Sequence, residues 1–176
     1  MDLMLVVASV RQRRVGEAVG TWVRSVIMAD DRFRLDVADL AELRLPLMDE
    51  PNHPRQRAYQ AAETHAWSAR VERSQGFVFV MPEYNHSFSA PLKNAIDYLF
   101  WEWHGKPVGF VSYGGLSGGS RAVTALQPVL WNLRMRPVDT NVEIAWVAKQ
   151  VDEAGVFTPT EQQRQALLAQ LGELAG

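Results

Sequence analysis

Three short stretches hold most of the side chains that can do chemistry. The first is Ala8-Ser9-Val10-Arg11-Gln12-Arg13-Arg14-Val15-Gly16, which places one hydroxyl and three guanidinium groups just ahead of a helical pattern. A helix start already carries partial positive charge on its unpaired N–H groups, so arginines clustered there call for an anion. Ser9 adds a hydroxyl donor, and Arg11 or Arg14 has the fork geometry that clamps phosphate oxygens. Neither Gly-x-Gly-x-x-Gly nor Gly-Lys-Ser/Thr is present, which argues against a dinucleotide pyrophosphate turn and against a P-loop. A phosphate monoester fits better. The competing reading is a Ser9 helix cap with the arginines in solvent.

The second stretch runs Met81-Pro82-Glu83-Tyr84-Asn85-His86-Ser87-Phe88-Ser89-Ala90-Pro91-Leu92-Lys93-Asn94-Ala95-Ile96-Asp97. Taken alone, Pro82 to Asn85 reads as a plain turn before a proline-started helix. The third is Ser112-Tyr113-Gly114-Gly115-Leu116-Ser117-Gly118-Gly119-Ser120-Arg121, whose glycines let backbone come close to a ligand. Gly115, Ser117 and Gly119 also match the Gly-x-Ser-x-Gly elbow of serine hydrolases. That chain order needs an acid and then a histidine after the serine, whereas His53, His65, His86 and His104 all precede Ser117. The histidines show no metal-ligand spacing. With zero cysteines, disulfides, iron–sulfur clusters and a thiol nucleophile are excluded, so any redox chemistry must come from a cofactor.

The elements that position these stretches are short and alternate in type. Leu3 to Ala8, Phe77 to Val80 and Val108 to Val111 are continuously apolar, as strands buried on both faces are. Arg32 to Val37 alternates and reads as an edge strand, and Val142, Ile144 and Trp146 give a last alternating one. Helical spacing follows from Val15 to Ile27, from about Arg55 to Ser74, from Pro91 to Leu99 and from Ser120 to Asn132. A C-terminal helix opens with Thr160 and Gln163 at capping-box spacing. Five strands alternating with about five helices predict a three-layer α/β sandwich, flavodoxin-like, with a five-stranded parallel sheet in the order 2-1-3-4-5 and helices on both faces. In such a sheet, ligands bind beyond the carboxyl ends of the strands where the order reverses, which is where the three stretches fall.

Composition agrees with one domain spanning residues 1–176: 47% hydrophobic, 22% charged, with no repeats or linker. A formal charge of -2 makes nucleic acid an unexpected partner. The N-terminus has an acid, Asp2, where a secretory signal would carry positive charge, and no apolar run nears the roughly 20 residues that span a bilayer. A cytoplasmic protein without a membrane partner is expected.

The run Pro-Glu-Tyr-Asn-His-Ser…Pro-Leu-Lys-Asn-Ala-Ile-Asp in the second stretch resembles the signature of the NADPH-dependent FMN reductases, flavodoxin-like enzymes that include quinone, azo and chromate reductases. The first stretch resembles that family's Gly-Ser-x-Arg-x-x-Ser phosphate motif, with Ala8 in place of the usual Gly and Arg14 where Ser is common. The resemblance implies that Ser9, Arg11, Arg14 and Val15 hold an FMN phosphate, that Pro82, Glu83, Tyr84 and Asn85 line one edge of the flavin, and that Tyr113, Gly114 and Gly115 line the other. Whether Arg14 meets phosphate or solvent stays open. Backbone N–H groups of Glu83-Tyr84-Asn85 suit the donors a flavin needs.

The implied activity is ping-pong transfer of hydride or electrons from NADPH or NADH through FMN to a small acceptor, with no side chain required as catalytic acid or base. A non-catalytic flavodoxin-like carrier or binding module is the alternative, and a hydrolase using Ser117 a weaker one. The resemblance also implies a homodimer or homotetramer. Trp101 and Trp103 are placed at its interface near Leu92 to Asp97, the alternative being that both fold back onto their own core.

Overall fold

The computed structural model describes all 176 residues. Six strands form one parallel sheet: β1 (Asp2–Val7), β2 (Arg34–Asp39), β3 (Gly76–Pro82), β4 (Pro107–Tyr113), β5 (Arg136–Pro137) and β6 (Val142–Ile144). Their order is β2-β1-β3-β4-β5, with β6 also on β4. Helices α1 (Val15–Met28), α2 (Leu40–Leu43), α3 (Ala62–Arg73), α4 (Ala90–Asp97), α5 (Ser120–Asn132) and α6 (Glu161–Ala175) connect and cover them. No helix is long and apolar enough to cross a membrane.

The alternation of side chains along β1 divides the core in two. Leu3, Leu5 and Val7 face α1 and α6, joining Val19, Val23, Ile27, Leu167 and Leu171. Met4, Val6 and Ala8 face the other way, joining Trp67 of α3, Leu92 and Ile96 of α4 and Leu126 of α5. Register then aligns the strand ends: Val7 lies opposite both Asp39 and Val80, and Pro82 lies opposite Tyr113. The loops after β1, β3 and β4 therefore leave the sheet side by side.

The predicted order and both helix-covered faces are present, and α6 has its capping box, with reciprocal Thr160 and Gln163 bonds. Three expectations need correction. The last strand is two short pieces on the same edge of β4: the ladder runs past Pro137, with Arg136 N–H on Lys106 O and Val138 N–H on Val108 O at 3.0 Å each, and breaks only after Val138. Gln170 of α6 fills the break by donating its Nε2 to Phe110 O at 2.9 Å and Thr140 O at 2.8 Å. Gly109 leaves room for it, since a β-carbon there would come within 2.5 Å of Gln170 Cδ. Trp146 has already left the strand, with φ 51°. The helix expected from Arg55 begins only at Ala62, after a single 3-10 turn at Pro54–Gln56.

Trp103 is the third correction. It is 1% exposed, sits 4.9 Å from Phe77 ring to ring, and meets Trp67 edge-on at 6.1 Å. It belongs to the core of its own subunit and presents nothing to a partner. Trp101 remains 46% exposed, with its indole N–H donated to Arg55 O.

Candidate functional site

The three loops enclose a cleft of about 370 Å³, within the usual range of small-molecule sites (about 300–1,000 Å³). Ser9, Arg11, Arg14 and Val15 line it from the first loop, Pro82, Glu83 and Tyr84 from the second, and Tyr113, Gly114 and Gly115 from the third. Asn85 is the one expected residue outside its lining. Arg13 and Val147 line it unforeseen.

At the cleft's inner end, α1 begins with Arg14 as its N-cap in extended conformation, and no side chain caps the helix. The N–H groups of Val15 and Gly16 are thus open, while that of Glu17 turns back to Arg14 O at 3.4 Å. Ser9 does not cap it: the residue is 1% exposed and its Oγ has no hydrogen-bond partner. The buried Tyr113 Oη likewise has none. Both hydroxyls converge on Gly16, where a β-carbon would lie 2.2 Å from each. Two buried, unpartnered hydroxyls at a helix N-terminus are costly in isolation, about 1–3 kcal/mol each, and make sense as donors to a bound anion. Burial pushes the Tyr113 phenol well above its ordinary range, so near neutral pH it keeps its proton and can donate it.

The arginines divide. Arg14 turns away from the anion position: Nη1 donates to Ser9 O at 2.8 Å, and both terminal nitrogens reach the Asp39 carboxylate at 2.5 Å. That hydrogen bond is the main cause of a raised guanidinium pKa. Arg14 therefore orients the loop, with its charge already matched. Arg11 and Arg13 are exposed and pair with no carboxylate.

The second loop is a two-residue hairpin. Tyr84 and Ser87 exchange N–H···O bonds of 2.9 Å each way, and Asn85 and His86 take φ values of 50° and 64°. Such turns require positive φ twice, which Asn and His tolerate better than most residues. Glu83 N–H donates to Tyr113 O at 2.9 Å. Of the three backbone donors expected from Glu83-Tyr84-Asn85, two are therefore engaged internally, and only that of Asn85, at the exposed hairpin tip, is not used in this way.

Glu83 ties this loop to the third. Its carboxylate accepts from Ser117 Oγ at 2.8 Å and meets Arg121 at 3.4 Å. A triad would set an imidazole against the serine and the acid behind it. Here the acid holds the serine directly, so Ser117 is a loop brace. Ser89 Oγ, donating to Ala8 O at 3.0 Å, joins the second loop to the first.

In the third loop, Gly119 at φ 92° lies where a β-carbon would strike Ser112 and the Tyr113 nitrogen at 2.6 Å. Trp146 N–H donates to Gly115 O at 2.9 Å and Val147 N–H to Gly114 O at 3.3 Å, pinning the glycine pair as the cleft's far wall. Sequence patterning had no signal for Val147 or Gly16, because both act through position and not through chemistry.

Comparison with known proteins bears on the family and the fold. The family model described as NADPH-dependent FMN reductase matches residues 1–156. An NAD(P)H-dependent FMN reductase of Schizosaccharomyces pombe is 38% identical over 140 residues, 78% of this chain and 70% of its own length. The NAD(P)H-dependent FMN reductase LOT6 of Saccharomyces cerevisiae is 38% identical over 149 residues, 78% of each chain. Among solved structures, the flavoenzyme NAD(P)H:(acceptor) oxidoreductase FerB of Paracoccus denitrificans superposes with a TM-score of 0.76, covering 98% of this chain and 94% of that one at 20% identity. At that identity the likeness speaks to fold alone.

Proposed function

The chain belongs to the NADPH-dependent FMN reductase family, and from that premise we propose that its cleft holds FMN and that it reduces a small acceptor at the expense of NADPH or NADH. The acceptor class in this reading is a quinone, free flavin, azo compound or chromate, reduced in alternation with nucleotide oxidation (a ping-pong order). One observation carries it: Ser9 Oγ and Tyr113 Oη are buried, unpartnered and aimed at the same point above Gly16.

The residues present fit the group. Ser9, the open N–H groups of α1 and the free guanidinium of Arg11 would hold the phosphate monoester. Pro82 to Tyr84 and Gly114-Gly115 would flank the ring on its two sides. When bound, FMN supplies the hydride chemistry that no side chain here can supply. The chain's own work is to orient the group, to keep the Tyr113 proton in place and to leave one side of the site open to the substrates. Arg14 acts one step removed, by fixing the Ser9 carbonyl.

Purified protein titrated with FMN should quench flavin fluorescence and retain a flavin visible spectrum after gel filtration. No uptake at high micromolar FMN would overturn the reading. Reduction of the bound flavin by NADPH or NADH, followed by turnover with a quinone, separates an enzyme from an electron carrier.

A further inference from the structure

The far wall of the cleft carries a large side chain that holding a flavin leaves unused. Trp146 follows β6 and caps a 3-10 turn at Val147–Gln150, and it is 52% exposed. Its neighbours fix where it stands. Gly115 and Val147 both line the cleft. Trp146 donates its N–H to Gly115 O at 2.9 Å and directly precedes Val147 in the chain. A β-carbon on Gly115 would lie 3.9 Å from Trp146 Cζ3, the one atom it would meet within 4 Å beyond the adjoining residues. The indole therefore stands over Gly115 at the rim.

The ring is held in that place. Lys149 N–H donates to Trp146 O at 2.8 Å, and the turn brings Lys149 Nζ to 5.4 Å from the indole centroid. A cation at that range restrains the ring from one face and leaves the other for a ligand. Leu116, next to Gly115 in the chain, is 74% exposed, so this side of the rim is apolar as well as aromatic. Two other tryptophans are left open, but neither adjoins the cleft. Trp131 lies at the end of α5 opposite the third loop, and Trp101 lies beyond the far end of α4.

An indole face is electron-rich and stacks on flat, electron-poor rings. A quinone is such a ring. Chromate, a small tetrahedral oxoanion, has no flat face to stack and gains nothing from an apolar rim. We propose that Trp146 is a specificity-determining residue, which stacks on a planar quinone at the mouth of the cleft and favours it over oxoanion acceptors. This rests on the reading that the cleft holds FMN, since the stacked quinone must lie within reach of the flavin.

The test uses oxidised, FMN-loaded protein without a reductant, titrated calorimetrically with 2-methyl-1,4-naphthoquinone. The chain has no cysteine, so the quinone meets no thiol to arylate. Trp146→Asn should weaken its binding by about tenfold, and Trp146→Phe, which keeps a stacking face, by no more than about threefold. Asparagine accepts the left-handed backbone that Trp146 adopts at φ 51°, so the first variant keeps its fold. In turnover with NADPH, Trp146→Asn should lower the naphthoquinone-to-chromate ratio of kcat/KM by about tenfold, with the change carried by the KM for the quinone. Naphthoquinone binding unmoved by Trp146→Asn, or equal losses for quinone and chromate, overturns the proposal. An FMN titration of the same preparations keeps the two readings apart. A wild-type protein that takes up no FMN refutes the flavin reading and this one with it, whereas flavin-loaded protein whose quinone binding ignores Trp146 refutes this one alone.

Discussion

Arg14 grips Asp39 with both terminal nitrogens at 2.5 Å, and through Nη1 it also holds the Ser9 carbonyl at 2.8 Å. One side chain thereby joins the end of β2 to the first loop of β1. Both partners are nearly buried, at 11% and 12% side-chain exposure, so neither can be removed without leaving the other charge stranded.

Asp39→Ala should therefore destabilise the protein by about 2–3 kcal/mol, read as a lowered urea midpoint with an unchanged slope. Arg14→Lys should fail to restore the wild-type value, since an ammonium cannot reproduce two parallel bonds to one carboxylate. An Arg14→Lys variant as stable as the wild type would show that charge alone suffices there.

The architecture was legible in the sequence because burial on two faces and burial on one leave different patterns. The continuous runs at Leu3–Ala8 and Phe77–Val80 could only be central strands, and the alternation at Arg32–Val37 only an edge. The split of the last strand was not legible. It depends on Gln170, 33 residues beyond Pro137, reaching back to the carbonyls of Phe110 and Thr140. At the site, residue types pointed to an anion but not to which arginine is free. That division hangs on Asp39, which reads as an ordinary polar residue at the end of a strand. Trp103 failed for the opposite reason: large aromatics near a helix end look the same in sequence whether they face the core or a neighbour.

Removing either unpartnered hydroxyl should separate stability from ligand binding. Tyr113→Phe discards a buried polar group with no protein partner, so the unliganded protein should be as stable or more stable by up to about 1 kcal/mol, while FMN affinity drops. The variant also bears on pH. Burial raises the Tyr113 pKa above its unfolded value near 10, so the folded state holds that proton longer. Its contribution to stability is complete below about pH 10 and is lost as pH rises beyond it. Tyr59, raised by burial and by Glu102, titrates in the same direction. Unfolding curves from pH 8 to 11 should show a shallower alkaline decline in Tyr113→Phe. An identical decline would assign the effect to Tyr59 and Tyr98, the latter also raised by burial.

Arg11 should act on phosphate and not on the ring. It is exposed, pairs with no carboxylate and lines the cleft beside the start of α1. A charge-assisted contact to phosphate is worth roughly 1.5–3 kcal/mol, so Arg11→Ala should weaken FMN by about one to two decades. Riboflavin, lacking the phosphate, should bind the variant and the wild type alike. Raised salt should narrow the FMN difference through screening. Parallel losses for the two flavins would place Arg11 against the ring or in the stability of the fold.

The two tryptophans that flank Glu102 should part company. Trp103 is locked among Phe77, Phe79 and Trp67, with its indole N–H donated to Ile96 O at 3.2 Å. Trp103→Ala should cost about 3–5 kcal/mol by opening a cavity in that cluster, whatever the state of assembly. Trp101 is the free candidate for a subunit contact. Its ring packs on His104 at 4.8 Å and Phe100 at 5.1 Å but leaves 46% of the residue exposed. Large aromatics left open in this way are enriched at interfaces, where they bury much apolar area. Light scattering at micromolar concentration should give at least twice the 19.8 kDa chain mass. Trp101→Arg should shift the mass toward the monomer while the melting transition stays cooperative, because the side chain contributes little to the core. A wild-type protein that scatters as a monomer and still turns over would remove the interface from the picture and leave Trp101 a cover for the Arg55 carbonyl.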